Sequence, residues 1–325
     1  MSTPTFLAKS FLKNLGIVEW GYTEELDATT YVYYDNWVNE KKHLPLTYLE
    51  GERKEKRKKL DAYFQECESA LVFLFPYHET KKYLAAHPQQ FQMASYVLGF
   101  EGEDYHVVLK EKLKAMADKI TEEIPTMKIK YSLDTQPILE RDLAYRAGLG
   151  WFGKNSMLIH REHGSYFLIG SLLLSEKIKL PLKSISVDHC GTCRACIEAC
   201  PTQAITEERT LIAQKCISTY TIEMFKPAPA PENFQAGANY IFGCDICQDV
   251  CPWNVKLLRA TNSLGQMNEK IKNLVHFFLQ KPLDEIIKKI QALSAREFKR
   301  KFKNTPLERT GKQGLLKNYQ ALKKD

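Results

Sequence analysis

Four cysteines fall within eleven positions of the stretch "HCGTCRACIEACP": Cys190, Cys193, Cys196 and Cys200, with Pro201 directly after the last. In a C-x2-C-x2-C-x3-C-P run the three closely spaced thiolates wrap one [4Fe–4S] cubane, and the fourth serves a second cluster. A partner run is therefore required. "CDICQDVCP" supplies it, with Cys244, Cys247, Cys251 and Pro252 but no leading cysteine, and Cys216 is the remaining candidate for that place. The crossover then gives one cluster on Cys190, Cys193, Cys196 and Cys251, and a second on Cys200, Cys216, Cys244 and Cys247, using eight of the nine cysteines. The competing reading is a pair of four-cysteine zinc sites. Those also use C-x2-C pairs, but they rarely place three cysteines within seven residues and need no proline after the last. Cys67, just before an apolar run, reads as an ordinary small core residue.

Two adjacent clusters deliver single electrons to something else. A free-standing carrier has no need of the preceding 180 or so residues, so those should hold the acceptor and the substrate. The 325 residues, 44% hydrophobic and 26% charged, suffice for one large domain or two ordinary ones with real cores. The N-terminal "MSTPTFLAKSFLKNLGIVEW" lacks the apolar centre of a signal peptide, and the strongest apolar run, "ALVFLFP", is too short to cross a bilayer. A soluble cytoplasmic protein without membrane contact is expected. In that compartment nine cysteines argue for metal or catalysis rather than disulfides.

The elements that must position this chemistry fall into three segments. Residues 1–180 read as an α/β unit: a buried strand in "SALVFLFPY" (69–77), an amphipathic helix over 105–120 with Val108, Leu109, Leu113, Met116 and Ile120 on one face, a strand in "MKIKYSL" (127–133), a helix over 137–148 with Pro at its start and Gly at its end, and two strands around a turn at Gly164 within 156–175. Residues 181–254 hold the cluster cysteines, and 255–325 read as a short helical tail. The fold class is α+β. From Val255 onward there are 17 Lys and Arg against 6 Asp and Glu, a net +11, leaving residues 1–254 at −4 of a total of +7. The tail is either a solvated face or a site for a polyanion.

The stretch "YSLDTQPILERDLAYRAGLGWFGKNSMLI" (131–159), followed by the two cysteine runs, resembles the epoxyqueuosine reductases, cobalamin-dependent enzymes of the last step of queuosine synthesis. The likeness runs through "RKEKR", "FPYH", "DYHVVLKEKL", "DTQPILER", "AGLGWFGKN" and "GS" to "ERTGKQGLLKN". It implies a cobalamin held between an N-terminal α/β domain and a ferredoxin-like domain, with electrons passing from the two [4Fe–4S] clusters to cobalt. There is no D-x-H-x-x-G signature, so the resemblance implies a cobalamin without a protein histidine below its cobalt. Many such reductases continue into HEAT-like repeats; this sequence ends at Asp325, and no contact from such repeats is expected.

Converting an epoxide to an alkene takes two electrons and two protons and releases water, so a general acid must stand beside the leaving oxygen. The resemblance assigns that role to Asp134, which taken alone would read as a turn or cap residue. Tyr105 and Arg141 match the other polar residues near the substrate, Arg141 as a partner that holds and tunes Asp134. The glycines of "AGLGWFGKN" would let backbone approach a flat macrocycle. Arg57, Val97, Asp134, Gly153, Lys154, Asn155, Leu158, Ser218 and Asp245 fall in matching segments and are expected around the cofactor.

The implied substrate is epoxyqueuosine at the wobble position of tRNA, reduced by a monomer fed by an unidentified electron donor. Lys299, Arg300, Lys301 and Lys303, with Phe298 and Phe302 at helical spacing to dock them, are the expected tRNA-backbone contacts. The alternatives are another corrinoid and iron–sulfur reductase of the dehalogenase kind, or an electron-transfer iron–sulfur protein.

Overall fold

The computed structural model describes residues 4–87, 89–207, 209–237, 239–260 and 267–323. Parts of the expected tail, 261–266 and 324–325, lie outside the described residues. The chain forms two compact units: residues 1–41, 47–76 and 106–191 in the first, and 42–46, 77–105 and 192–325 in the second. The three successive segments expected from the sequence thus become two interleaved units. The tail and the cysteine segment share one core, and residues 77–105 belong with them.

The first unit is built on a four-stranded sheet in the order Glu19–Thr23, Ser69–Pro76, Phe167–Leu174, Ile129–Ser132. Every neighbouring pair is antiparallel, so the expected α/β unit is not a parallel crossover fold. Ser69–Pro76 is central and buried on both faces. Its Ala70, Val72 and Leu74 join Leu143, Ala144 and Ala147 of the helix Glu140–Arg146 and its end in one core cluster, as the two-residue period of a strand requires. On the other face, the helix Tyr105–Glu123 buries Leu109, Leu113, Met116 and Ile120 completely. It packs at Gly170, where an added Cβ would stand 2.9 Å from Phe75 and 3.2 Å from Leu113. Cys67 lies in the sheet core, its thiol pushed up to about 11 by burial.

Two expectations for this unit shift. The helix begins at Glu140 rather than Pro137, because residues 133–138 form a tight turn. The strand Leu158–Ile159 pairs with Trp151–Phe152 rather than with the strand after Gly164, and only a single bridge, His160 to Gly164, spans that turn.

In the second unit the helices Glu269–Phe278, Leu283–Ala292, Ala295–Lys301 and Leu307–Gln320 enclose a core with Val97, Ile217, Tyr220 and the strand Tyr240–Phe242. Tyr240–Phe242 pairs in parallel with Gln92–Met93. That pairing ties residues 77–105 to the segment leading into Cys244. No described helix is long and apolar enough to cross a membrane.

Candidate active site and cluster-binding segment

In the first unit, the strand Ile129–Ser132 ends in a turn that presents Asp134. Leu133 N donates to Gln136 Oε1 at 2.7 Å, Thr135 N to Leu133 O at 2.6 Å, and Asp134 N to Glu140 Oε1 at 2.5 Å. These bonds hold Asp134 at φ +58°, a left-handed conformation that aspartate tolerates better than most residues and that collects at functional sites. Arg53 Nη2 donates to the Thr135 carbonyl at 2.7 Å. The Asp134 side chain stays 52% exposed, and its Oδ2 lies 3.3 Å from His106 Nε2.

Glu140, at the start of the helix that follows, also accepts from Ser132 Oγ at 3.0 Å. Burial, and then the charge of Asp134, push its carboxyl up to about 8. It is therefore a neutral acid at pH 7 that braces the turn. Asp142, two residues on, anchors the same helix: its Oδ2 meets Arg146 Nε at 2.6 Å, and its Oδ1 accepts from Thr30 N at 2.7 Å. Breaking one partner of so buried a pair costs on the order of 3–5 kcal/mol. Arg141 donates to the Ser156 carbonyl, while its charge faces Glu140 and Asp134.

The expected cofactor residues of this unit are engaged within the protein. Arg57 is buried, donates to Arg53 O at 2.9 Å and lies over the Tyr34 ring at 5.7 Å. Asn155 Oδ1 accepts from Met157 N at 3.2 Å, Leu158 is buried, and Lys154 Nζ donates to Gly191 O at 2.7 Å. A Cβ on Gly150 would stand 2.2 Å from Ile159 O, and one on Gly153 would stand 2.6 Å from Asn155 Oδ1. Within "AGLGWFGKN", Gly150 and Gly153 thus give room to Ile159 and Asn155 of the chain's own hairpin. Cys190 closes the unit, its N–H on Asp188 Oδ1 at 2.8 Å.

In the second unit, the thiols of Cys216, Cys244 and Cys247 are all pushed up by burial. Cys216 also feels Cys200, Cys244 feels Cys216 and Cys200, and Cys247 feels Cys244, Cys216 and Cys200. These four thiols are electrostatic neighbours. The short helices Ala195–Glu198 and Ile246–Asp249, one in each cysteine run, pack on each other. Cys193 is exposed and Cys251 buried, and none of the nine cysteines is in a disulfide. Among the described residues no three His, Cys, Asp or Glu stand close enough to share one ion.

Asp245 is 1% exposed, and its Oδ2 accepts from Ser95 N at 2.8 Å and Ser95 Oγ at 2.6 Å. It fixes the turn Ser95–Val97, whose Val97 is wholly buried. Ser218 is half-buried, directly before a π-helical turn, Thr219–Glu223. Lys317 Nζ, from "GLLKN", donates to Tyr220 O at 2.6 Å and Met224 O at 2.5 Å, and Asn318 Nδ2 donates to Thr221 O and Ile241 O, both at 2.9 Å. That terminal motif therefore braces the backbone after Cys216 and before Cys244. Tyr105 belongs to this unit and sets its ring edge-on to Tyr96 at 5.7 Å.

In the tail, Phe298 and Phe302 are buried as expected, each worth about 1.5–3 kcal/mol of docking. Lys299, Arg300, Lys301 and Lys303 are exposed. Lys299 reaches Glu308 at 3.8 Å, and Lys301 lies over the Phe277 ring at 4.6 Å. Sequence reasoning missed His106, Glu140 and Arg53. All three sit inside quoted motifs, and only the fold shows them at the Asp134 turn.

Two cysteine runs of ferredoxin spacing, in a chain that carries a separate substrate-sized unit, mark an iron–sulfur oxidoreductase. A family model described as "4Fe-4S double cluster binding domain" matches residues 189–254, and one described as "Epoxyqueuosine reductase QueG, DUF1730" matches 57–135. The epoxyqueuosine reductase of Cyclobacterium marinum is 34% identical over 298 residues, covering 90% of this chain and 87% of that one. The chain belongs to the epoxyqueuosine reductase family. The solved structure of the Streptococcus thermophilus epoxyqueuosine reductase is 26% identical with a TM-score of 0.75, covering 97% of this chain and 79% of that one. A crystal structure of epoxyqueuosine reductase with an epoxyqueuosine-modified tRNA-Tyr stem loop is 24% identical with a TM-score of 0.74, covering 98% of this chain and 81% of that one. At that identity the likeness concerns the fold.

Proposed function

We propose that this protein reduces epoxyqueuosine to queuosine at the wobble position of tRNA, as a cytoplasmic monomer fed by an external one-electron donor, with Asp134 as the proton donor. The observation that carries this reading is the Asp134 turn. An exposed carboxyl held at φ +58° by a bond from its own N–H to Glu140 is oriented before substrate arrives, as a general acid needs to be. Family membership supports the substrate, and the tRNA stem loop bound by a relative of the same fold supports the polymer.

Cys190, Cys193, Cys196 and Cys251 would hold one [4Fe–4S] cluster, and Cys200, Cys216, Cys244 and Cys247 the other. The second set is supported by the proximity of its thiols, Cys216, Cys244 and Cys247 each lying within electrostatic reach of Cys200. The family cofactor is cobalamin. The residues expected to hold it are Arg57, Val97, Asp134, Gly153, Lys154, Asn155, Leu158, Ser218 and Asp245. Of these, Arg57, Val97, Asn155, Leu158 and Asp245 would act by fixing the local backbone of their own units. When bound, the cobalamin supplies reduction at the epoxide carbon and the clusters supply its electrons. The chain's own part is to place the nucleoside, keep Asp134 aimed at the leaving oxygen and hold Arg141 as a fixed positive charge by that carboxyl. Lys299, Arg300, Lys301 and Lys303 would follow the tRNA backbone.

The test is anaerobic reconstitution with iron, sulfide and cobalamin, then nucleoside analysis of tRNA carrying the epoxide. Loss of one oxygen from the modified nucleoside is the expected result. A protein that binds the cofactors and leaves the epoxide intact under strong reductant would refute the reading.

A further inference from the structure

Two protons must reach one oxygen when an epoxide becomes an alkene and water, and a single carboxyl carries one. His106, in the first turn of the helix Tyr105–Glu123, sets its Nε2 3.3 Å from Asp134 Oδ2. We propose that His106 is the proton relay of Asp134, the residue that returns a proton to its carboxylate between the two transfers. This deepens the reading above and rests on Asp134 as the acid.

The steps balance. The Asp134 proton goes to the epoxide oxygen as the first C–O bond breaks, leaving a carboxylate. The Nε2–H bond of the His106 imidazolium then breaks as Oδ2–H forms. Asp134 gives this second proton to the new hydroxyl, which leaves as water while the second C–O bond breaks and the alkene forms. The two electrons come from the reductant of the established reaction. His106, 29% exposed in the free protein, regains its proton from solvent between turnovers. Asp134, 52% exposed without substrate, loses that access when a nucleoside covers it, so a neighbour must hold the reserve proton.

The other ionisable groups at this turn are committed elsewhere. Glu140 Oε1 accepts from Asp134 N at 2.5 Å and from Ser132 Oγ at 3.0 Å, so it braces the turn rather than feeding it. Arg141 donates to Ser156 O, Arg53 donates to Thr135 O at 2.7 Å, and neither guanidinium releases protons near neutrality. Lys110, one turn after His106, lies 5.7 Å from the Tyr131 ring centroid. Of these groups, the His106 imidazole is the one whose ring nitrogen faces Asp134 Oδ2, and an imidazole trades protons readily near pH 7.

The experiment uses the reconstituted protein with epoxide-bearing tRNA and two variants. His106→Gln can still hydrogen-bond the carboxylate but cannot pass a proton, and His106→Ala leaves a space. Both should lower kcat by on the order of 10²-fold, with KM for tRNA and the thermal midpoint unchanged. In His106→Ala, added imidazolium should raise the rate in proportion to its concentration, while tetramethylammonium at equal ionic strength should do nothing. Near-wild-type kcat in both variants would overturn the relay. So would an equal loss that imidazolium does not repair, because His106 would then be only a prop. Wild-type protein without turnover in the same assay would overturn the epoxide reading, and this one with it.

Discussion

Glu140 Oε1 accepts the backbone N–H of Asp134 at 2.5 Å, across six residues of chain. The bond turns a strand end into a strained, aimed acid. It also ties the aim of Asp134 to a carboxyl that burial keeps neutral at pH 7.

That link has a sign. The Glu140 carboxyl titrates at about 8 in the folded protein, against 4.5 for an ordinary glutamate. It stays protonated over a range in which the unfolded chain has already ionised, so its contribution to stability is present below about pH 4.5 and is lost as pH rises through about 8. Glu140→Gln keeps the acceptor oxygen without the titration. Thermal midpoints across this range should therefore fall less steeply in Glu140→Gln than in wild type. Parallel curves would remove Glu140 as a titrating brace.

The cysteine crossover gives a second expectation. Cys251→Ala should damage the same cluster as Cys193→Ala, although the two cysteines lie in separate runs, and Cys216→Ala should damage the same cluster as Cys247→Ala. Electron paramagnetic resonance of the four reduced variants checks this. Loss of different signals within either pair would contradict the assignment.

The tail gives a third. Lys301 lies over Phe277, so its removal disturbs packing as well as charge; Arg300 and Lys303 are cleaner probes. Arg300→Gln with Lys303→Gln should weaken tRNA binding and flatten its log–log salt slope by about 0.7 for each single-stranded phosphate that is no longer neutralised. The thermal midpoint should not move. A slope equal to wild type would make the ridge a solvated face.

The parts legible in the sequence were those set by short-range pattern. Cluster spacing, the apolar run of Ser69–Pro76 and the helical face of Leu109, Leu113, Met116 and Ile120 each repeat at a period that one element imposes. Long-range pairings were not legible. Nothing in residues 77–105 announces that Gln92–Met93 will pair with Tyr240–Phe242. The left-handed Asp134 depends on Glu140, six residues away, and His106 comes from a different element 28 residues away. Gly150 and Gly153 of "AGLGWFGKN" are close-approach positions, and only the fold shows Ile159 and Asn155 standing against them. "ERTGKQGLLKN" marked the family, while its bracing through Lys317 and Asn318 is visible only in three dimensions.

Asp134→Asn is the most direct test of the central claim, because asparagine also tolerates φ near +58° and keeps the N–H that Glu140 accepts. The variant should bind cobalamin, carry both clusters and bind tRNA as wild type does. Single-turnover reduction of epoxyqueuosine in tRNA should nonetheless fall by on the order of 10²-fold or more. Reduction at the wild-type rate by a fully loaded Asp134→Asn protein would contradict the account.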